Sequence, residues 1–217
     1  MRNSDCWYVD ICKDNCDKCL TFLQMKWQME HSGLPKAKQK IIKLDITDNN
    51  SCDFKVYTHL TDIKKDIVSF VEQGKSLFIC SDYTGNGKTS WAIKLLHSYF
   101  HHTAVGSYEN LRGMFVSTTE LLLKLKDFNN PLPKSYIENL KTVDLVVWDD
   151  IAVSGVTPFD LTQLYSIIDH RILAEKANIF TSNQTSVDEI ANLIGSRLTS
   201  RIYYNSEVIE FKGRDMR

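Results

Sequence analysis

The chain has 217 residues, 43% of them hydrophobic, which is enough for one sizeable core with a small appendage and too few for two full domains. No apolar stretch reaches the length of a membrane span, and Met1-Arg2-Asn3-Ser4-Asp5 leads into cysteines rather than a signal-peptide core, so a cytoplasmic protein with reduced thiols is expected. The 26 Lys+Arg and 27 Asp+Glu leave a net charge of −1, which excludes a global attraction to nucleic acid and confines any DNA contact to a local patch.

Four of the six cysteines, Cys6, Cys12, Cys16 and Cys19, cluster at the N-terminus. They offer four soft ligands that a tetrahedral Zn²⁺ could hold, and a segment too short for a core would gain its fold from the metal. The ordinary alternative is reduced cysteines packed beside Trp7 and Trp27. Cys52 and Cys80 read as small buried residues. Next, Leu20, Leu23 and Trp27, with Phe22, Met25 and Met29, predict a short amphipathic helix ending near Gly33-Leu34-Pro35. The polar stretch KAKQKIIKLDITDNNS predicts a linker with a short strand over 41–44. Residues 1–50 are thus expected to form an N-terminal Cys-rich helical module with its linker, and residues 51–217 the main domain.

Within the main domain, Val56, Leu60, Ile63, Ile67 and Phe70 repeat at helical spacing up to a stop at Gly74. SLFIC, at 76–80, predicts a buried strand and TSWAIKLLHSYF the helix after it, with His101-His102 as an exposed helix end. Further apolar runs at 114–116, 145–148 and 178–181 predict strands, separated by helices over about 118–127, 159–175 and 186–202. Strands alternating with helices imply an α/β fold, a parallel sheet covered on both faces. No internal repeat or low-complexity tract interrupts it.

Four stretches carry chemistry. SDYTGNGKTS, at 81–90, ends as the phosphate-binding pattern G-x-x-x-x-G-K-[ST] ends, but Asp82 stands where its first glycine belongs. Thr84, Gly85, Asn86, Gly87, Lys88, Thr89 and Ser90 would surround the phosphates of ATP at a helix N-terminus, with Lys88 on the outer phosphates and Thr89 on Mg²⁺. A bare Gly/Asn-rich turn is the bland alternative, and the strand before and helix after argue against it. DLVVWDDIA puts Asp149 at a strand tip, suited to Mg²⁺, and Asp150 next to it, suited to polarise a water for attack on the γ-phosphate. Such acids otherwise merely cap the next helix. NIFTSNQT ends a strand at Asn183, whose amide can sit beside the attacking water, although asparagine there is ordinarily a turn residue. GSRLTSRIYY sets Arg197 and Arg201 four apart on one helical face, which is usually solvated and in an oligomeric ATPase can reach a neighbour's γ-phosphate.

GNGKTS, VVWDDI, LYSIIDHRI, IFTSNQT, GSRLTSRI and IEFKGRDMR, in this order over about 56–217, resemble the AAA+ ATPases, and within them the DnaC/DnaI-type helicase loaders and the related IstB transposition helpers. The resemblance implies a P-loop AAA+ core, with Asp149 and Asp150 as the Walker B pair, Asn183 as sensor 1, Arg201 as the arginine finger and Arg197 as a second box VII arginine. It implies no C-terminal lid, and leaves open whether Arg217 replaces the lid's sensor 2 arginine. DnaI-like loaders carry an N-terminal zinc module that grips the helicase, which adds to the zinc reading of the cysteines. The expected protein is a homo-oligomeric, ATP-driven loader, of phage or mobile-element type, that binds a replicative DNA helicase and places it on single-stranded DNA. Lys124, Lys126, Lys134 and Lys141, with Phe128 and Tyr136, would supply cations and stacking groups for that DNA. The alternatives are an IstB-like helper of a transposase, a P-loop nucleotide kinase, and a non-hydrolysing adaptor in which Asp82 marks a decaying site. A kinase gives no reason for Asn183 at a strand tip or for the arginine pair.

Overall fold

The computed structural model describes residues 19–40, 44, 52–104, 110–127 and 129–213. Cys6, Cys12, Cys16, Phe128, Arg217 and most of the 41–44 stretch lie outside the described residues.

Among the described residues the chain forms α1 (Leu20–His31), a 3₁₀ turn (Lys36–Lys38), α2 (Phe54–Lys65), α3 (Ile67–Glu72), β1 (Ser76–Cys80), α4 (Lys88–His102), β2 (Gly113–Ser117), α5 (Thr118–Lys126), α6 (Lys134–Thr142), β3 (Leu145–Asp149), α7 (Pro158–Leu173), β4 (Ala177–Ser182), α8 (Val187–Ile194), α9 (Ser196–Tyr203) and β5 (Glu207–Glu210). The strands make one parallel sheet in the order β2-β3-β4-β1-β5. Its central register aligns Val146 with Asn178 and Phe78 with both Phe180 and Val208.

Because both faces are covered, β1 and β4 are buried at every residue, which is why they read as unbroken apolar runs. Alternation along each strand then sorts the core into two layers. Leu77, Ile79, Val147 and Ile179 face α1 to α4, meeting Met25, Tyr57, Ile67, Trp91 and Leu95. Phe78, Cys80, Val146, Trp148 and Phe180 face α5 to α9, meeting Leu121, Leu140, Leu164, Ile190 and Leu198.

Arg171 of α7 is fully buried. Its guanidinium donates to the carbonyls of Leu140, Val143 and Ala177 and to Asn178 Oδ1, at 2.6–2.8 Å. Burial pushes its pKa down to about 9. The side chain thereby ties the turn before β3 to the start of β4.

Several elements differ from the sequence reading. The helix expected up to Gly74 is divided at Asp66, which leaves helical geometry at φ −110° and ψ 32°. The helix expected over 186–202 is two, parted by Gly195 at φ 80° and ψ 144°, a conformation that L-residues rarely adopt. Strand β5 was not expected, because only Ile209 of its four residues is buried and an edge strand lacks the continuous apolar run. In α1 the buried face is Gln24, Met25, Gln28 and Met29, while Leu20 and Leu23 are exposed. The Gln28 amide donates to the Asn110 carbonyl and accepts from the Arg112 N–H, and Phe115 N–H donates to the Ser32 carbonyl. Helix α1, placed by sequence in the N-terminal module, therefore packs into the main core beside β2. Cys80 is buried and unpaired, as expected, whereas Cys52 is exposed at the turn before α2.

Candidate nucleotide-binding site

Beyond Cys80 the β1 and β4 chains remain joined for one more rung, Ser81 N–H to the Ser182 carbonyl at 3.3 Å. The chain then loops through residues 82–87 and enters α4. Gly87 caps that helix at φ 97°, in the left-handed region where a side chain would be strained. The free N–H groups and positive dipole end of α4 therefore face the loop interior, an arrangement that attracts phosphate.

Lys88 is buried, and its ammonium donates to the Tyr83 carbonyl (2.7 Å) and to Asn86 Oδ1 (3.2 Å). Burial pulls its pKa below the ordinary lysine range, while the charges of Asp150, Cys80, Asp149 and Asp82 pull the other way. An arriving anion would restore its preference for the charged form. Asn86 is fully buried and also donates to Ser81 Oγ (2.5 Å) and to the Gly213 carbonyl (3.4 Å). Beyond Gly213, the buried Asp53 carboxylate accepts from the Lys212 and Gly213 N–H groups at 2.7 and 2.8 Å. A Cβ at Gly213 would collide with that carboxylate, which would have to shift from this position. The segment after β5 is thus fastened both to the start of α2 and to the phosphate loop.

Opposite the loop stand the tips of β3 and β4. Asp149 Oδ1 accepts from the hydroxyls of Thr89 (2.7 Å) and Thr181 (2.8 Å). Asp150 takes φ 54°, unusual outside glycine, and its N–H donates to Thr181 Oγ1 at 2.9 Å. The Asn183 amide donates to Asp150 Oδ1 at 3.1 Å. Burial, then the neighbouring Asp149 charge, raises the Asp150 pKa, with Lys88 and Asn183 opposing. A carboxylate so raised is a stronger proton acceptor at neutral pH.

These groups share one cleft of about 840 Å³. It gathers Thr84, Gly85, Asn86, Gly87, Lys88, Thr89, Ser90, Asp149, Asp150 and Asn183, all anticipated from sequence. Its wall also includes Lys38, Leu44, Tyr57 and Thr181, which sequence reasoning missed. Thr181 could have been found, since it lies two residues before Asn183 and so on the same face of β4. The donor set fits a nucleoside triphosphate with Mg²⁺: backbone N–H groups and a lysine for the phosphates, and a hydroxyl paired with a carboxylate for the cation.

Asp82 turns out of this cleft, its carboxylate accepting from Thr185 Oγ1 at 2.7 Å. Arg197 and Arg201 do not line the cleft either. The Arg201 Nε lies 2.9 Å from Asp169 Oδ1, and the Arg197 guanidinium lies 4.1 Å over the Tyr165 ring, so both rest against α7. Of the lysines expected to meet DNA, Lys126 pairs at 2.7 Å with the fully buried Asp160, and Lys124 lies 3.9 Å from Glu120. Tyr136 packs partly against the core rather than standing free. Lys134 and Lys141, on α6, remain near the surface.

No protein-family model matches the sequence, and no curated protein matches it. Solved structures do match in fold. The DnaC helicase loader aligns at 19% identity over 79% of this chain and 94% of its own, with a TM-score of 0.63. A primosome component from Streptococcus pyogenes serotype M3 aligns at 22% identity over 85% and 92%, with a TM-score of 0.64. The replication initiator DnaA, bound to AMPPCP and single-stranded DNA, aligns at 17% identity over 77% of this chain and 48% of its own, with a TM-score of 0.59. The likeness establishes the fold alone, a five-stranded parallel α/β sheet with helices on both faces.

Proposed function

We propose that the chain is an AAA+ ATPase of DNA replication, a helicase loader that binds a hexameric helicase and places it on single-stranded DNA. The observation that carries the ATPase reading is the convergence of Lys88, the Thr89–Asp149 hydrogen bond and the Asp150–Asn183 hydrogen bond in one cleft. The loader reading draws support from the extent of the fold match to the DnaC structure, which covers 94% of that chain.

In this mechanism the loop N–H groups and Lys88 hold the β- and γ-phosphates, and Thr89 with Asp149 would hold Mg²⁺. When bound there, Mg²⁺ would supply charge neutralisation for the phosphates. Asp150 accepts a proton from the attacking water, and Asn183 fixes that carboxylate and the water relative to the γ-phosphate. Arg201, with Arg197 beside it, would complete the site of a neighbouring copy in a homo-oligomer. The N-terminal cysteines Cys6, Cys12, Cys16 and Cys19 would hold Zn²⁺ in a module that docks on the helicase, and elemental analysis of the purified protein tests this part alone. A carboxylate base could serve either reaction, but a kinase gives no reason for the Asn183 amide on Asp150 at the strand tip or for the Arg197/Arg201 pair, which favours the ATPase.

ATP turnover by the wild-type protein and by Asp150→Asn, with Lys88→Ala as a binding control, tests the enzymatic part. Light scattering of the protein mixed with a replicative helicase, with and without ATP, tests the partner. Turnover without a helicase complex would reject the loader reading and move the weight to a transposase partner.

A further inference from the structure

The phosphate loop departs from the pattern at Asp82, and the structure gives that departure a partner. Ser81 and Ser182 form the last backbone rung between β1 and β4. One residue later on the β1 side, and three later on the other, the Asp82 carboxylate and the Thr185 hydroxyl close a second rung at 2.7 Å. Asn183 lies between the two rungs on the β4 side, with its amide on Asp150. A glycine at position 82 offers no side chain to make this rung.

We infer that Asp82 is a positioning residue, whose hydrogen bond with Thr185 clasps the start of the phosphate loop to the loop that carries Asn183 and so sets Asn183 and Asp150 against the outer phosphate. The inference rests on reading the cleft as an ATP site. Hydrogen bonds to an ionised acceptor are short and strong for their kind, and this one accounts for a carboxylate beside a phosphate site by turning it away from the cleft. Its charge also adds to those that favour the cationic form of Lys88. Asp82 is thus a built part of the site, and not a mark of its decay.

The test is steady-state ATP hydrolysis by full-length Asp82→Gly, Thr185→Val and the double variant, with Thr185→Ser as the conservative replacement. Asp82→Gly restores the common loop pattern, so a decaying site predicts a gain in turnover. The clasp predicts a three- to tenfold fall in kcat for each single variant, with KM unchanged or lower. It also predicts a double variant no worse than either single, and wild-type turnover for Thr185→Ser. Wild-type or raised kcat in Asp82→Gly, multiplying losses in the double variant, or a Thr185→Ser as slow as Thr185→Val would overturn it. A wild-type protein that hydrolyses no ATP refutes the ATPase reading instead. The clasp is then read from fluorescent ATP and ADP analogue binding: a preference for the triphosphate lost in both single variants supports it, and a preference retained in either refutes it.

Discussion

Thr181 is the residue through which the two acids of the cleft are held, and Thr181→Val removes that link while keeping the side chain's shape. The hydroxyl donates to Asp149 Oδ1 at 2.8 Å and accepts from the Asp150 N–H at 2.9 Å. At 2% exposure, no water can easily replace it. Leaving a buried donor unsatisfied costs roughly 1–3 kcal/mol. The bond lost to the Asp150 N–H is also one that holds Asp150 at φ 54°, a conformation that costs about 1–3 kcal/mol to maintain. If about 1.4–2.8 kcal/mol of this falls on the positioning of Asp150, kcat drops about ten- to a hundredfold, at a factor of ten per 1.4 kcal/mol. KM should change little, because the phosphates are held by the opposite wall. The assay is ATP turnover over a range of ATP concentrations, with fluorescent-nucleotide binding as a control and Thr181→Ser as the rescue. Each kcal/mol lost also lowers Tm by roughly 2–4 °C in a chain of this size. A kcat within twofold of wild type, or a KM raised tenfold at unchanged kcat, would refute the reasoning.

Asp150→Asn is expected to cut kcat at least a hundredfold while nucleotide binding persists, as measured by the same pair of assays. Because burial raises the Asp150 pKa and the base must be ionised to accept a proton, activity is full above that raised pKa and falls as pH drops through it. The acid limb of the wild-type kcat/KM profile, which reports the free enzyme, should therefore lie above that of an ordinary aspartate, and a limb near pH 4 would contradict this. Arg171→Met leaves three buried carbonyls without this donor and Asn178 Oδ1 with only the Trp148 indole N–H, and urea unfolding should show a loss of about 3–5 kcal/mol. Lys126→Ala removes the cation paired with the buried Asp160, so it should lower Tm and leave single-stranded DNA affinity unchanged; loss of affinity at constant Tm would return Lys126 to a DNA role.

What the sequence made legible follows from how locally each feature is encoded. β1, β3 and β4 are buried on both faces, so their apolar runs stand out, and Gly87-Lys88-Thr89 and Asp149-Asp150 lie at the ends of those runs. Features that depend on tertiary partners were not legible. Gln24 and Gln28 face inward on α1 although they are polar, and Gln28 can do so because it is hydrogen-bonded to the residues leading into β2. No hydrophobic periodicity reports a satisfied polar residue, so the reading favoured Leu20 and Leu23 for a face that they do not occupy. Asp82 and Thr185 are 103 residues apart, and neither gives a local sign of the other. Lys126 read as a cation free to meet DNA because Asp160, which it neutralises, belongs to the capping box that starts α7, 34 residues away in sequence.

The same distinction bears on Arg197 and Arg201. Their spacing on one face of α9 was readable, and it raised the prospect of a group delivered to another copy. In the single chain both rest on α7, against Tyr165 and Asp169, and neither belongs to the chain's own cleft. An arginine meant for its own phosphates would be expected within that cleft, as Lys88 is. The contacts that hold this pair lie at the surface, partly open to water, which weakens ion pairs through screening by water and salt. In the proposed assembly, a triphosphate presented by a neighbour would carry more charge than the Asp169 carboxylate, so exchange of partners would be favoured once the faces met. Within the proposed assembly, α7 would keep the two guanidinium groups placed on Tyr165 and Asp169 while no neighbour is bound, which would lower the entropy lost when they engage.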